Sequence, residues 1–341
     1  MFSGCDSEIH DRMLIKGIGI DYINDEYKIS VRSENVTLNQ EELTISKGKT
    51  VYDALSSLSL KSGERQMYAD SYYIIFGEAA VDEGIDKALD FFIRYFKSTP
   101  TEQIFIAEGN AEDILNAQKD GELIPSDFIK NLKESYKNSG KTISVSLLQL
   151  LSEIKSPKNS ILVPLIKSSE DEIMLSGAVL LKNYRKVCKY NEKEIQGFLI
   201  AEEKITVAPI VIDSDKYGKI TLELNKSESK LQIINAPYEI NLNIKVKGII
   251  ASITMDSYLE NENIKEIEKE ASKKIKDYVE KALKGYDFGA DVLGINYELY
   301  KKENSIYNEI LETENFERNY AIKVNVETKL IKTGEENRPT Q

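Results

Sequence analysis

Tryptophan is absent from this 341-residue chain, histidine occurs once, at His10, and cysteine twice, at Cys5 and Cys188. Each scarcity removes a class of chemistry. Without a second histidine or a cysteine pair, a zinc site of the His/Cys type cannot be assembled. A Ser-His-Asp triad could draw only on His10. Two thiols supply no disulfide framework. No apolar run approaches the roughly 18 residues that mark a membrane-crossing helix. Positive charge is also short: 45 Lys and Arg stand against 57 Asp and Glu, a net charge of −12. That balance argues against nucleic-acid binding and against broad adhesion of the folded surface to anionic lipid. No catalytic group, metal site or cofactor is expected. His10 stands in a polar stretch where a solvated side chain is the simple reading, and Cys188 reads as a small packed residue of a strand.

What the chain does have begins at its amino end. Ser3-Gly4-Cys5 has the small-small-Cys form of a bacterial lipoprotein cleavage site, and a processed chain would begin at Cys5. Diacylglycerol on that thiol would bury two acyl chains at about 0.8 kcal/mol per CH₂, the condition for stable attachment. Only four residues precede Cys5, fewer than the basic and apolar segments of a signal peptide need. On spacing alone two readings stand: a lipidated cysteine whose leader lies outside this sequence, or a plain thiol near the terminus. Polar residues from Asp6 to Arg12 follow, then an apolar run, Met13 to Ile20, interrupted by Gly17 and Gly19 and closed by Asp21. The order is anchor, short tether, first strand.

Met13–Asp21 and Tyr27–Arg32 read as a hairpin across Asn24-Asp25-Glu26. Thr50 is a candidate N-cap for a helix over Val51–Ser59, with Val51, Ala54, Leu55 and Leu58 on one face. Tyr72–Phe76 and Gln103–Ala107 read as buried strands, with an amphipathic helix, Gly84–Phe96, between them. From Gly121 to Ser160 Lys, Ser and Asn are frequent, with helical patches at Ser126–Tyr136 and Ser146–Ile154. Ile161–Lys167, Ile173–Lys182 and Val187–Tyr190 return to strand pattern, and Lys193–Ala201 reads as short helix plus strand. Beyond a boundary near Ala201–Val207, Thr206–Ile212, Lys219–Leu224, Lys230–Ile234 and Tyr238–Ile253 read as strands. Asn261–Leu283 is the longest helix, with Ile264, Ile267, Ala271, Ile275, Val279 and Leu283 in one stripe and Gly285 as its stop. A shorter helix, Gly289–Lys301, and a closing strand, Tyr320–Leu330, complete the pattern.

The expected class is α+β: a multi-domain chain of successive mixed sheet-plus-helix modules, ending in an antiparallel sheet packed by one long helix. The expected modules are an N-terminal α/β module, 5–118, whose sheet can take in strands from 161–204; a middle module, 119–204; a C-terminal α+β module, 205–334; and a polar tail, 335–341.

Several short motifs imitate chemistry. Gly17-Ile18-Gly19 lacks the third glycine and the following helix of a dinucleotide loop, so a bulged strand is the better account. Asp287-Phe288-Gly289 spells a kinase tripeptide with none of its companions. The acidic stretches Glu262–Glu270 and Glu312–Glu317 lack the calcium-loop pattern. Surfaces remain as the means of action, and the tyrosine-rich stretches Tyr68–Tyr73 and Tyr297–Tyr307 are the candidate patches.

Gly4-Cys5 with Glu8-Ile9, Gly17-Ile18-Gly19-Ile20-Asp21, Gly48 with Asp53-Ala54, the block Ile74–Arg94, Asp291-Val292-Leu293-Gly294 and the closing Val324–Gly334 together resemble, in order, the C-subunit lipoproteins of spore germinant receptors, the Ger(x)C family. Asp6-Ser7 departs from the aromatic residue usual after that family's lipidated cysteine. The resemblance implies lipidation at Cys5 and a non-enzymatic subunit. It would sit on the extracytoplasmic face of the spore inner membrane, held through its diacylglycerol. Its partners would be the integral-membrane A and B subunits, with which it couples or scaffolds the response to small germinants. One alternative is an extracytoplasmic solute-binding lipoprotein that captures a small germinant, which predicts a pocket with convergent polar groups between domains. Another is a hydrolase, which predicts two carboxylates facing each other across a cleft.

Overall fold

The first hairpin forms because Asn24 and Asp25 tolerate the left-handed region, at φ 52° and 59°, which a two-residue turn of type I′ requires at both positions. It joins β1 (Arg12–Ile23) to β2 (Glu26–Asn35), and β3 (Gln40–Gly48) pairs with β2. In this computed structural model the described residues are 12–35, 40–63, 65–69, 71–94, 99–169, 172–234, 239–254, 261–302, 304–311 and 321–331. The chain divides into two compact units, Met1–Lys133 with Ser144–Lys189, and Glu134–Ile143 with Tyr190–Gln341.

The first unit is built on a mixed sheet. Its further strands are β4 (Arg65–Met67), β5 (Tyr73–Phe76), β6 (Gln103–Ala107), β9 (Ser160–Ser169), β10 (Glu172–Lys182) and β11 (Arg185–Tyr190). Across the sheet the order is β11-β10-β9-β6-β5-β1-β2-β3, with β4 beside the start of β1. The contacts β9-β6, β6-β5 and β5-β1 are parallel. Those central strands are buried along their whole length in β5 and β6, the mark of a parallel sheet covered on both faces. Helices α1 (Val51–Ser62), α2 (Glu78–Glu83), α3 (Asp86–Arg94), α4 (Ala111–Leu115), α5 (Ser126–Asn131) and α7 (Leu147–Lys155) belong to this unit, with a two-strand ribbon of β7 (Gln118–Lys119) and β8 (Glu122–Leu123). Thr50 caps α1 by accepting from the Asp53 amide at 3.1 Å. Ser146 and Gln149 form a reciprocal capping box on α7, worth about 1 kcal/mol. The expected helix over 84–96 is α3, which begins at Asp86; Gly84, at φ +116°, separates it from α2, a helix the sequence pattern does not announce.

The second unit contains α6 (Ser135–Ser139), α8 (Glu192–Ala201), α9 (Asn261–Ala282), α10 (Ile295–Lys302) and α11 (Asn304–Leu311). Its sheet runs β12 (Ala208–Ser214), β13 (Gly218–Ile234), β14 (Glu239–Ile253) and β15 (Ala321–Ile331). The first three are antiparallel, as expected, and β15 adds to β14 in parallel. Ile267, Ala271, Ile275 and Val279 of α9 are all buried. A Cβ at Gly197 would lie 2.0 Å from the Tyr278 carbonyl oxygen, so α8 touches α9 backbone to backbone there. Lys193–Ala201 is helical throughout, started by an Asn191–Glu194 capping box. Lys219–Leu224 and Lys230–Ile234 are two ends of one 17-residue strand. No helix among the described residues is long and apolar enough to cross a membrane.

Candidate functional site

The glycine-and-aspartate motif near the amino end performs a packing task. A Cβ at Gly17 would fall 2.0 Å from the Tyr73 ring, and the register of β1 against β2 shifts between Ile15 and Gly17. Asp21, 2% exposed, accepts from the amides of Ala111 at 2.7 Å and Glu112 at 3.1 Å, so it holds the first turn of α4. Burial raises its carboxyl above the ordinary range, while the two amide bonds pull it back down. Gly77 completes the arrangement, since a Cβ there would lie 1.9 Å from Asp21 Oδ1. The Asp291-Val292-Leu293-Gly294 stretch works in the same way. Asp291 is buried and accepts from the amides of Ile295 (2.7 Å) and Asn296 (2.8 Å) and from the Tyr286 hydroxyl (2.7 Å). Helix α10 therefore begins at Ile295, and the stretch from Leu283 to Phe288 is a 3₁₀ helix ended by Gly289 in the left-handed region.

A polar network lies under one cleft of the first unit. Arg32 is fully buried; it donates through Nη2 to the Ile124 carbonyl and lies 3.6 Å from Glu41 Oε2. Glu41 accepts from the Ser126 amide at 2.9 Å and from its hydroxyl at 2.7 Å, and the Tyr73 hydroxyl lies 2.9 Å from Ser126 Oγ. Arg32 Nε and Nη1 have no hydrogen-bond partner among the described residues. The cleft, about 650 Å³, is lined by Lys16, Glu34, Glu41, Tyr72, Glu122 and Asp127 among others. Lys16 pairs with Glu34 at 2.8 Å, and Lys130 sits 3.8 Å from the centre of the Tyr72 ring.

A second groove, about 850 Å³, runs between α1 and α3 and is lined by Tyr52, Phe91, Ile93, Tyr184, Asp86 and Lys155 among others. Apart from both, Glu102 is 1% exposed, and neither carboxylate oxygen has a hydrogen-bond partner among the described residues. Burial pushes its pKa up to about 7, against a weaker opposing pull from the Ser71 hydroxyl and the Thr99 backbone. Nothing in the sequence marks Arg32 or Glu102 as interior, or the part-exposed Glu41 as a partner of Arg32: Arg32 follows an apolar alternation that predicts an outward side chain, and Glu102 stands between polar Thr101 and Gln103.

The expected site residues are placed as follows. Cys5 and His10 lie outside the described residues. Cys188 is half-buried in β11. Tyr68 and Tyr73 belong to the core, at 5% and 0% exposure, so the first tyrosine stretch is not a surface patch. In the second, Tyr300 is exposed and stacks edge-on with Tyr307 at 5.3 Å. Among the described residues no group of three or more His, Cys, Asp or Glu side chains is placed to hold a metal ion.

Comparison with known proteins adds a second line. The sequence model for the spore germination protein N-terminal domain matches residues 6–168, and that for the spore germination B3/GerAC-like C-terminal domain matches residues 176–334. Spore germination protein B3 of Bacillus subtilis (strain 168) is 24% identical over 353 aligned residues, covering 93% of this chain and 91% of that protein. Spore germination protein A3 of the same organism is 29% identical over 198 residues, 54% of this chain and 52% of its own length, so that match spans about half of each. The crystal structure of the GerBC protein superposes with a TM-score of 0.63 at 18% identity, covering 92% of this chain and 97% of that one, a likeness of fold.

Proposed function

Because the chain belongs to the GerAC-like family of spore germination proteins, we propose that it is a non-enzymatic, lipid-anchored C subunit of a germinant receptor. The observation that supports this most is that two family domains, in order, account for residues 6–168 and 176–334, with Cys5 immediately before the first. In this reading Cys5 carries diacylglycerol on the extracytoplasmic face of the spore inner membrane, and the partners are the integral-membrane A and B subunits. The role is coupling or scaffolding. The seven residue steps from Cys5 to Arg12 span at most roughly 25 Å, so the anchor would keep the start of β1 within that distance of the bilayer. Confinement of this kind raises the effective concentration of the body beside its partners, and modest interfaces then suffice.

Metabolic labelling of the full-length precursor with a clickable fatty acid is expected to mark the protein, and Cys5→Ala to abolish the mark. Spores carrying an exported, folded Cys5→Ala protein are expected to germinate poorly; normal germination would remove the proposal. The cleft over Glu41 gives the second reading its one specific support, because Lys16, Glu34, Glu122 and Asp127 present both signs of charge, as a zwitterionic solute would require. Titration calorimetry with a panel of amino acids decides that reading, and absence of heat across the panel ends it.

A further inference from the structure

In a chain of net charge −12, one surface carries lysines side by side. Lys226 is opposite Lys247 in the β13–β14 pairing, and Lys247 is opposite Lys329 in the β14–β15 pairing. All three are exposed, on the solvent side of the second unit's sheet. Adjacent strands are about 4.8 Å apart, so the backbones of the three lysines lie within a span of about 10 Å. Lys226 has a carboxylate partner, Glu228 at 2.8 Å. Among the described residues neither Lys247 nor Lys329 forms an ion pair. The next row on the same face is Glu228, Lys245, Glu327, and the one after it Lys230, Asn243, Asn325, with Asn325 donating to Asn243 at 3.0 Å. Glu228 is held below the usual carboxylate range by Lys226 foremost and then by Lys247 and Lys245.

Like charges directly opposite across strands oppose folding. A row of three therefore works against the sheet unless something acidic meets it. We propose that this face of the C-terminal sheet is a docking surface for an acidic segment of a partner polypeptide. Charge complementarity gives the sign. The two glutamates flanking Lys245 and the amide side chains beyond favour a polypeptide over an anionic bilayer: a plane of phosphates would meet Glu228 and Glu327 as well as the lysines, whereas a peptide can place acids against one row and donors against the next.

The probe is a fluorescein-labelled deca-glutamate peptide, titrated by anisotropy against the whole soluble chain at low ionic strength. Lys247→Gln with Lys329→Gln is expected to weaken binding about tenfold and to reduce its salt dependence. The control pair Lys87→Gln with Lys155→Gln, the same change of net charge on the other unit, is expected to leave binding within about twofold. Lys247→Gln alone is expected to raise the melting temperature of the free protein, because two like-charge contacts disappear. Equal weakening by the control pair, a fall in melting temperature, or lysine-dependent binding to phosphatidylglycerol vesicles in place of the peptide would each overturn the proposal.

Discussion

Glu102 binds its proton more tightly in the folded chain than in the unfolded one, since burial lifts its pKa from 4.5 to about 7. Its contribution to stability is therefore complete below the unfolded value and is lost as pH rises through the folded one. At about 1.36 kcal/mol per unit, the loss between pH 4.5 and 7 amounts to about 3 kcal/mol. Urea unfolding at a series of pH values is expected to show that decline, and Glu102→Gln to flatten it; an unchanged slope in the variant would assign the decline to another group. Glu78 works in the opposite window. Hydrogen bonds from Lys189 and then Lys186 hold it down to about 2, so its contribution is present above pH 4.5 and disappears as pH falls towards 2. Lys186→Met with Lys189→Met is expected to remove that acid limb and leave the neutral limb intact. A third residue-scale test concerns Arg32, fully buried, with Nη1 3.6 Å from Glu41 Oε2 and Nε without a hydrogen-bond partner among the described residues. Removing one member of a buried pair is costly when the other is left buried and uncompensated; Glu41 is part-exposed and keeps the Ser126 amide and hydroxyl, so the buried guanidinium is the member that would be stranded. Arg32→Met is thus expected to cost less than about 1 kcal/mol and Glu41→Ala more than about 2 kcal/mol in equilibrium unfolding, and the reverse order would show that the guanidinium supports the fold.

At the scale of elements, the sheets manage their edges with side chains. The free edge of β15 has its Thr328 amide capped by Ser272 Oγ at 3.0 Å and its Leu330 amide by Glu268 Oε1 at 2.9 Å, both from α9. On β12 the Pro209 carbonyl accepts from Gln196 at 3.0 Å, and on β3 the Ile45 carbonyl accepts from Lys61. An uncapped edge is a template for another strand. Ser272→Ala with Glu268→Ala is expected to cost about 1–3 kcal/mol and to speed hydrogen exchange at the Thr328 and Leu330 amides, with distant amides of β13 unaffected. These caps also explain what the sequence reveals and what it hides. The stripe of α9 and the Asn24-Asp25 turn are local patterns with one physical solution, and both are visible in the chain. The single strand β13 is not, because its register shifts at Leu224/Lys226 let polar Asn225 and Lys226 follow one another, which reads as a turn. Nor is the parallel direction of β15, since its β14 partner residues lie 82 positions earlier and strand alternation carries no direction. The start of α10 was displaced from Gly289 to Ile295 by the buried Asp291 cap, a tertiary contact that no helical period announces.

At the scale of the whole molecule, the family motifs prove to be legible as order along the chain and not as a site. At Gly17 and Gly77 neighbours approach too closely for a Cβ, and Asp21 and Asp291 accept from the backbone amides that start α4 and α10. Surface chemistry leaves a weaker trace: the lysine row becomes visible only once three strands are in register. The boundary between the two family domains carries a further consequence. The C-terminal match begins at residue 176, inside β10, whereas the compact unit takes up at Tyr190. A fragment cut at 176 would begin with Ser176–Lys182, including Ala178, Val179, Leu180 and Leu181, all buried against β9 in the intact chain. Without β9 that segment keeps only β11 beside it and opens its other edge and its apolar faces, and such strands associate. A fragment beginning at Tyr190 escapes this but lacks Glu134–Ile143, where a Cβ at Gly140 would lie 2.4 Å from the Val207 carbonyl oxygen and the Lys137 carbonyl accepts from Thr206 Oγ1 at 2.6 Å. Expressed side by side, the 176–341 fragment is expected to elute as aggregate. The 190–341 fragment is expected to elute as monomer with a melting temperature several degrees below that of the same unit in the intact chain, roughly what loss of a few hydrogen bonds implies. A monomeric, fully stable 176–341 fragment would show that β10 does not depend on the first unit's sheet for its burial.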